Sequence, residues 1–291
     1  MGRMKIYHPL VEMDSSHQVL RKGIFDDEDC SVYLTSEKDF AFLCPSPSVD
    51  YKNYKKRVSD LGLDKYKKNK NANQARMEKV YDIFNQTDVD TVLEIGASDG
   101  SFLKVLKDQF PNLKITAVET DDITLESRRK IVGKDNSFSS LDELIEKNRE
   151  FDIVCFFHVF EHIKEVAEFL EKIKKILAPN GRVLIEVPSL DDPLLSIYHS
   201  EPYERFYFQK QHPFVYTASS LERTLERSGF STIQTIPYQR YGLENHISWM
   251  VKKKPGGNSL YNKLFSPIDK KYRVILEEHG KTDTVFWVGK L

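Results

Sequence analysis

The feature that most constrains the fold is a regular alternation of apolar runs and helical patterns between residues 91 and 188. Four runs are typical of strands: "TVLEIG", "LKITAVET", "FDIVCFFH" and "RVLIEVP". Helical patterns separate them, among them "SFLKVLKDQF" and "EHIKEVAEFLEKIKKIL". Such alternation predicts βαβ units and a parallel sheet. The continuous apolar run from Ile153 to Phe157 suits a strand that is buried on both faces.

A glycine turn follows the first of these strands, in "VLEIGASDGSFL". Ligands of open parallel sheets bind beyond the carboxyl ends of the strands, and the first strand–helix turn is the usual contact. Gly96 allows a ligand to approach the backbone, and Gly100 permits a tight entry into the helix. Glu119 ends the next strand, about 20 residues after Gly100, which is the spacing expected for an acid that binds ribose hydroxyls.

The turn does not match a dinucleotide fingerprint. The positions that G-x-G-x-x-G would fill are Gly96, Ser98 and Ser101, so two of the three glycines are missing. A nucleoside with a smaller zwitterionic arm, such as S-adenosylmethionine, remains compatible with the turn. A nicotinamide-dependent oxidoreductase or epimerase is the alternative enzyme, and a cofactor-binding protein without chemistry is the alternative outside enzymes.

Four segments resemble successive motifs of the class I S-adenosylmethionine-dependent methyltransferases: "VLEIGASDGSFL", "ITAVETDD", "FDIVCFFHVFEHI" and "LAPNGRVLIEVPSL". The resemblance covers about residues 91–240. It implies a Rossmann-like, doubly wound α/β fold with a mostly parallel seven-stranded sheet and an antiparallel last strand. We expect an N-terminal β/helical extension before this fold and a helical insertion before its last strand.

The same resemblance implies the cofactor contacts. Residues of the glycine turn would line the methionine and ribose side, Glu119 would bind the ribose hydroxyls, and two short segments would flank the adenine or close the pocket. The full set is Glu94, Gly96, Ala97, Ser98, Gly100, Glu119, Thr120, Ser139, Ser140, Leu141, His158 and Val159. Ser98 departs from the glycine that is commonest at its position in the family.

The C-terminal part is similar to a narrower branch of methyltransferases, found in sugar and cell-surface polysaccharide biosynthesis. The segments are "QHPFVYTASSLERTLERSGF", "YQRYGLENHISWMVKKKPGG" and "KTDTVFWVGK". This implies a sugar, nucleotide-sugar or related phosphorylated acceptor, with O-methylation slightly favoured over C-methylation. We predict a substrate cap over residues 1–70, and a methyltransferase domain over 71–291 with its insertion at about 240–280.

Candidates for catalysis are histidines and an acid. His212 lies in a long aromatic-rich connection, residues 189–216, for which the sequence predicts little regular structure, and such loops are usually functional. "HVFEH" supplies His158, Glu161 and His162, which share one face if a helix begins there. Together with His212 they could hold a hard metal ion. The alternative, which the sequence favours, is that Glu161 and His162 orient the loop beside the cofactor without a metal.

Five further residues are predicted to contact the acceptor. Glu186 ends a strand, one tyrosine belongs to the aromatic connection, and the others belong to the insertion; the set is Glu186, Tyr207, Tyr241, Asn245 and His246. Tyrosines of the connection could stack on a sugar ring, but apolar packing is an equally good interpretation. For Tyr241 and Asn245, plain helix packing is the competing interpretation.

Bulk properties exclude some classes. Lys+Arg 43 against Asp+Glu 44 leaves a formal charge of −1, which argues against a general nucleic-acid binder. The cysteines Cys30, Cys44 and Cys155 lack the spacing of a zinc site or a disulfide framework and fit a reducing cytosol. No apolar run is long enough to span a bilayer. We expect a cytoplasmic enzyme with a small-molecule substrate, and a homodimer is left open.

Overall fold

The computed structural model describes residues 8–11, 17–25, 27–47, 69–256 and 259–291. The chain divides into two compact units. The first unit comprises Met1–Ser48, Phe160–Ala167 and Glu186–Trp287, and the second comprises Val49–Val159, Glu168–Ile185 and Val288–Leu291. The domain boundary that the sequence predicts at residue 70 stays a prediction. Part of the predicted N-terminal β/helical extension lies outside the described residues.

The strands of the described residues are numbered in chain order. They are β1 Gln18–Ile24, β2 Asp27–Leu34, β3 Phe40–Cys44, β4 Thr91–Ile95, β5 Lys114–Val118, β6 Ser137–Phe138, β7 Phe151–Phe157, β8 Leu177–Pro188, β9 Phe214–Tyr216, β10 Ser231–Tyr238 and β11 Thr284–Lys290.

The helices of the same residues are numbered in the same way. They are α1 Asn69–Phe84, α2 Ser101–Gln109, α3 Leu125–Val132, α4 Leu141–Ile145, α5 Val166–Lys174, α6 Pro193–Ser196, α7 Glu201–Tyr207, α8 Ala218–Arg227, α9 Leu243–Lys252 and α10 Ser259–Glu278. Short 3₁₀ turns cover Lys134–Asn136 and Phe160–His162. None of the described helices has the length and apolar character needed to cross a bilayer.

A seven-stranded sheet has the strand order β10-β11-β8-β7-β4-β5-β6. β4 pairs in parallel with both β5 and β7, and Glu94 aligns with Ala117 on one side and Cys155 on the other. The sheet is mostly parallel and includes an antiparallel strand, which confirms the Rossmann-like fold that the sequence predicts. β4, β5 and β7 end at one edge of the sheet, where the polar residues of the second unit follow them.

A second sheet has four strands in the order β1-β2-β3-β9, and its pairs are antiparallel. β9 comes from the middle of the chain and pairs with β3, so that Phe40 aligns with Tyr216. The buried core beside this sheet includes Ile24, Val32 and Trp249 together with the tyrosines of α7. Apolar packing is therefore what the structure shows for Tyr203 and Tyr207, which are both buried.

The prediction of little regularity for residues 189–216 is wrong, because the segment contains α6, α7 and β9. Asp192 caps α6 by accepting a hydrogen bond from the Leu194 backbone N–H at 2.7 Å, and Pro193 occupies the first helical turn. The strand β9 is stabilised by pairing with a strand far away in sequence. Because β9 has three residues, its sequence is too short to show the alternating pattern of a strand, and pairing with a distant strand cannot be predicted from it.

A second correction concerns the helix predicted from Glu161 onward. α5 begins only at Val166, and Phe160–His162 form a single 3₁₀ turn. His158 precedes this turn with a φ of 54°, in the left-handed region, so the backbone is not helical there. The one-turn spacing predicted for His158, Glu161 and His162 is therefore wrong.

Candidate active site

The glycine turn of the second unit requires glycine at both ends. Gly96 has a φ of 73° and Gly100 a φ of 80°, a region that strains other residues. A Cβ on Gly96 would also clash with the side chain of Val159. Ser98 adopts a φ of 49°, which costs a residue with a side chain about 1 kcal/mol relative to glycine. Glycine would adopt this φ without that cost.

Hydrogen bonds hold the turn against the next strand. The backbone N–H groups of Gly96 and Ala97 both donate to the Val118 carbonyl, at 2.8 and 3.3 Å. The Ser98 N–H donates to Oε2 of Glu119 at 2.9 Å, and the other oxygen of that carboxylate accepts from the Asp121 N–H at 3.0 Å. A carboxylate offers about four acceptor positions, so Glu119 retains capacity for ligand hydroxyls.

Arg128 is a residue of this site that sequence reasoning missed. Its side chain is fully buried, and its guanidinium donates to the Ser98 carbonyl at 2.7 Å and to the Ser137 hydroxyl at 3.1 Å. The Thr124 hydroxyl also lies 3.0 Å from the Ser98 carbonyl oxygen. In the sequence, Arg128 sits in the charged run "ESRRK" and resembles a solvated helix face. Only the tertiary structure distinguishes it from its neighbour Arg129.

Glu94 is a buried acid beneath the turn. Burial raises its pKa to about 8, the charges of Asp99 and Glu119 add to this, and the charge of Arg76 opposes it. Its Oε2 has no hydrogen-bond partner within the described part of the chain. A buried polar atom without a partner is costly, and a ligand that brings a donor would remove this cost. The ammonium group of a zwitterionic amino acid is such a donor.

The predicted adenine side contains the first turn of α4. The Ser140 hydroxyl accepts from the Glu143 N–H at 3.1 Å, and the Glu143 carboxylate accepts from the Ser139 N–H at 2.9 Å. This reciprocal cap fixes the start of the helix. Leu141 remains partly exposed, whereas Leu144 is fully buried. An apolar face is therefore available beside the capped turn, and Thr120 is exposed after β5.

His158 and Val159 follow β7 directly. The left-handed φ of His158 turns the chain, and Val159 then occupies the space that a side chain on residue 96 would fill. Val159 can pack against the turn only because Gly96 has no side chain. The apolar side chain of Val159 thus covers one side of the turn.

The first unit contains a separate cluster of ligating side chains. Glu161, His162 and His212 each offer one such atom, and these atoms all lie within 4.8 Å of one another. The two imidazole rings have centroids 4.8 Å apart and an interplanar angle of 60°. His158, which the sequence groups with these residues, does not belong to the cluster. Glu161 is 2% exposed, whereas both histidines are partly exposed.

Aromatic packing fixes the position of the cluster. Phe160 is fully buried and stacks on Tyr216 of β9, with ring centroids 5.5 Å apart. The Tyr216 hydroxyl lies 3.1 Å from Nε2 of His8. Burial, with a smaller contribution from the charge of Glu161, raises the pKa of Tyr216 well above its usual value. Packing of the 3₁₀ turn against β9 therefore fixes the position of Glu161 and His162 relative to His212, which lies two residues before β9.

His162 has a defined tautomer when it is neutral. Its Nδ1 lies 2.7 Å from the backbone carbonyl oxygen of Gln211. A carbonyl oxygen only accepts, so Nδ1 carries the hydrogen and Nε2 keeps its lone pair. His162 can therefore act through Nε2 as a base or as a metal ligand.

The residues predicted to contact the acceptor occupy different environments. The Tyr207 hydroxyl donates to the Ser189 carbonyl at 2.8 Å, in a buried site. His246 is also buried, and its Nδ1 lies 2.6 Å from the Tyr272 hydroxyl. Contact of Tyr207 or His246 with an acceptor would have to displace these partners. Tyr241 is 39% exposed and Asn245 partly exposed.

A buried carboxylate organises this region, and sequence reasoning missed it. Asp283 is 2% exposed and accepts from the Arg240 side chain at 3.1 Å and from the backbone N–H of Tyr241 at 2.9 Å. Glu186 is fully buried, and its charge acts on Arg240 as well. In the sequence, Asp283 stands between two threonines in "KTDTVFWVGK", and nothing in its residue type or spacing predicts a role for it.

Comparison with known proteins identifies the family of the chain. The chain matches the family model described as a methyltransferase domain over residues 52–235, which is more than half of its length. It therefore belongs to this family of methyltransferase domains. The alternative of a nicotinamide-dependent oxidoreductase is thereby set aside.

Individual relatives are distant. A tRNA U34 carboxymethyltransferase from Idiomarina loihiensis is 26% identical over 104 residues, which is 35% of this chain and 32% of the relative. The chain thus spans about a third of that relative. An S-adenosylmethionine-dependent methyltransferase from Archaeoglobus fulgidus aligns with a TM-score of 0.54 at 18% identity, over 83% of this chain and all of that one.

A second solved structure shows the same fold. The plantazolicin methyltransferase BpumL, in complex with a desmethyl analogue and S-adenosylhomocysteine, aligns with a TM-score of 0.51 at 16% identity. The alignment covers 81% of this chain and 91% of that one. At these identities the likeness concerns the fold and leaves the acceptor open.

Proposed function

We propose that the protein transfers the methyl group of S-adenosylmethionine to a hydroxyl oxygen of a sugar, a nucleotide-sugar or a related phosphorylated small molecule. The observation that carries the proposal is the turn of the second unit. Gly96 and Gly100 leave the backbone open, Glu119 lies against the turn, and Glu94 holds a buried oxygen without a described partner. These groups fit an adenosyl amino acid.

In the proposed complex, Glu94 accepts a hydrogen bond from the ammonium group of the cofactor, and Glu119 accepts from its ribose hydroxyls. Thr120, Ser139, Ser140 and Leu141 surround the adenine, and the apolar side chain of Val159 excludes water beside His158. When bound, S-adenosylmethionine supplies a methyl group on a positively charged sulfur; its transfer to the acceptor oxygen leaves the electron pair of the broken carbon–sulfur bond on sulfur and releases the hydroxyl proton.

An alcohol has a high pKa, so its hydroxyl needs a base or a cation to react at neutral pH. We assign this activation to Glu161, His162 and His212. They are the charged or basic groups that the first unit concentrates within 4.8 Å. Glu186, Tyr241 and Asn245 are our proposed contacts to the acceptor. The formal charge of −1 argues against a polyanionic RNA as acceptor.

Calorimetry with S-adenosylhomocysteine tests the cofactor part of the proposal. We expect Glu119→Ala to weaken binding by about tenfold or more, because the loss of a charged hydrogen-bond acceptor is worth about 1.5–3 kcal/mol. Glu126→Ala is the matched control, since Glu126 is an exposed acid on the neighbouring helix α3. Wild-type protein that binds neither S-adenosylmethionine nor S-adenosylhomocysteine would contradict the proposal.

Mass spectrometry of products tests the acceptor part. Purified protein is incubated with S-adenosylmethionine and a panel of nucleotide-sugars, sugar phosphates and, for comparison, tRNA. We expect a gain of one methyl group on a sugar compound and none on tRNA. Methylation of tRNA alone would overturn the acceptor class while leaving the cofactor assignment intact.

A further inference from the structure

We propose that Glu161, His162 and His212 bind a divalent first-row transition-metal ion. All three belong to the first unit, and their ligating atoms lie within 4.8 Å of one another. Atoms that coordinate one ion at about 2.1 Å lie about 3–3.5 Å apart. The upper limit of 4.8 Å exceeds this separation by about 1.5 Å, and a bound ion would draw the three side chains together by up to that amount.

The donor set is the first argument. Two imidazole nitrogens and one carboxylate oxygen form the ligand set of many catalytic zinc sites and of non-haem iron sites. Imidazole nitrogens suit zinc, copper, iron and nickel, whereas Mg²⁺, Ca²⁺ and Mn²⁺ prefer oxygen-rich sites. The chemistry of the cluster therefore points to a transition metal.

The orientation of His162 is the second argument. Metal-bound histidines almost always donate their other ring N–H to a carboxylate, a backbone carbonyl or a water. Nδ1 of His162 is already engaged in this way with the Gln211 carbonyl oxygen at 2.7 Å. Gln211 is 3% exposed and precedes His212 directly, so the backbone that carries one ligand orients the other.

The distribution of exposure is the third argument. Glu161 is nearly fully buried near the phenol rings of Tyr207 and Tyr216, which are buried as well. A cation beside this carboxylate would offset the cost of its burial. Both histidines are partly exposed. Three protein ligands with one open side are typical of a catalytic rather than a structural metal site.

The catalytic consequence rests on the proposed function. A hydroxyl that coordinates the ion at its open position has a lowered pKa, so it loses its proton to solvent before or during methyl transfer. The two histidines then act as ligands rather than as bases. The bound ion, rather than the three side chains themselves, would then activate the acceptor hydroxyl.

Titration of metal-free, full-length protein with Co²⁺ tests the site directly, with visible absorption as the readout. We expect one ion per chain, with d–d bands typical of nitrogen and oxygen ligands, and competition by Zn²⁺. His212→Ala and the isosteric Glu161→Gln should each weaken Co²⁺ binding by at least about tenfold. His279→Ala is the control, because His279 is exposed and lies outside the cluster.

Binding of S-adenosylhomocysteine, measured on every variant, separates the two proposals. If wild-type protein and Glu161→Gln bind Co²⁺ equally and both bind S-adenosylhomocysteine, the metal site is refuted and the methyltransferase assignment stands. If Co²⁺ binds as expected but S-adenosylhomocysteine does not, the proposed function fails and the metal site stands. A circular dichroism spectrum unchanged from wild type shows that weaker binding does not reflect misfolding.

Discussion

The two compact units differ in how far apart along the chain their polar residues lie. In the second unit, Glu94, the glycine turn and Glu119 come from two successive strands of one sheet. In the first unit, Glu161 and His162 lie about fifty residues before His212 in the sequence, and the three side chains form one cluster. Tyr216 of β9, which packs on Phe160, belongs to a strand that pairs with β3 near the N-terminus. The first kind of site is built by local backbone geometry, and the second by tertiary packing. We therefore expect the two kinds to respond differently to substitution and to pH.

The largest effect should follow from Gly96→Val. The new side chain would meet Val159 and force a branched residue into the left-handed region. Overpacking and the unfavourable backbone together cost the folded protein about 4 kcal/mol, so the free energy of unfolding should fall by about that amount, and displacement of the turn should weaken S-adenosylhomocysteine binding by at least about tenfold. Calorimetry measures this. Gly256→Val is the control, because a side chain there meets nothing within 4 Å although its φ is also positive.

Glu94→Gln should remove a pH dependence of stability that amounts to several kcal/mol. The pKa of Glu94 is raised to about 8 in the folded chain, so the folded state binds more protons than the unfolded state between about pH 4.5 and pH 8. The contribution of Glu94 to stability is therefore present below this window and is lost as pH rises through it. Urea unfolding of ligand-free protein at several pH values checks the expectation. An identical pH profile for wild type and Glu94→Gln would contradict it.

In the first unit, His246→Gln should remove a pH dependence of stability of the opposite sign, which amounts to about 3 kcal/mol. Burial lowers the pKa of His246 to about 4, so between pH 6.5 and pH 4 the unfolded state binds more protons. Stability from this group is lost as pH falls through that window. The variant should be less sensitive to acid than wild type in thermal unfolding, whereas the exposed control His279→Gln should not differ from wild type.

The smallest effect should come from Ser98→Gly, which relieves a left-handed φ of 49°. The gain of about 1 kcal/mol is partly cancelled by the greater freedom of glycine in the unfolded chain. We expect a rise in the free energy of unfolding of about 0.5 kcal/mol, measured by urea denaturation. A loss of stability would show that the Ser98 side chain contributes contacts that outweigh its backbone strain.

This difference between the units also decides what the sequence could predict. The sheet, the glycine turn and the acid at its neighbouring strand follow from apolar periodicity and from the backbone needs of Gly96 and Gly100. The sequence also pointed to Glu161, His162 and His212, but it added His158 on a helical spacing that the 3₁₀ turn does not provide. Helical periodicity could not reveal that a local turn replaces the first turns of a helix.

Arg128 and Asp283 could not be predicted for another reason. Both are charged residues that are buried because tertiary neighbours surround them, and Arg129 next to the first of them is partly exposed. Residue type alone favours solvent for such side chains. Their roles follow from hydrogen bonds to backbone groups that are distant in sequence, such as the Ser98 carbonyl.

The pairing of β9 with β3 affects how the protein can be divided for experiments. The segment matched by the family model, residues 52–235, contains β9 but none of β1, β2 and β3. A truncated protein with those limits would retain the whole glycine turn, yet Phe214–Tyr216, next to His212, would lose β3, the strand with which it pairs. The unpaired backbone groups and aromatic side chains of such a strand invite aggregation. Recombinant fragments intended for study of the histidine cluster should therefore keep the first fifty residues.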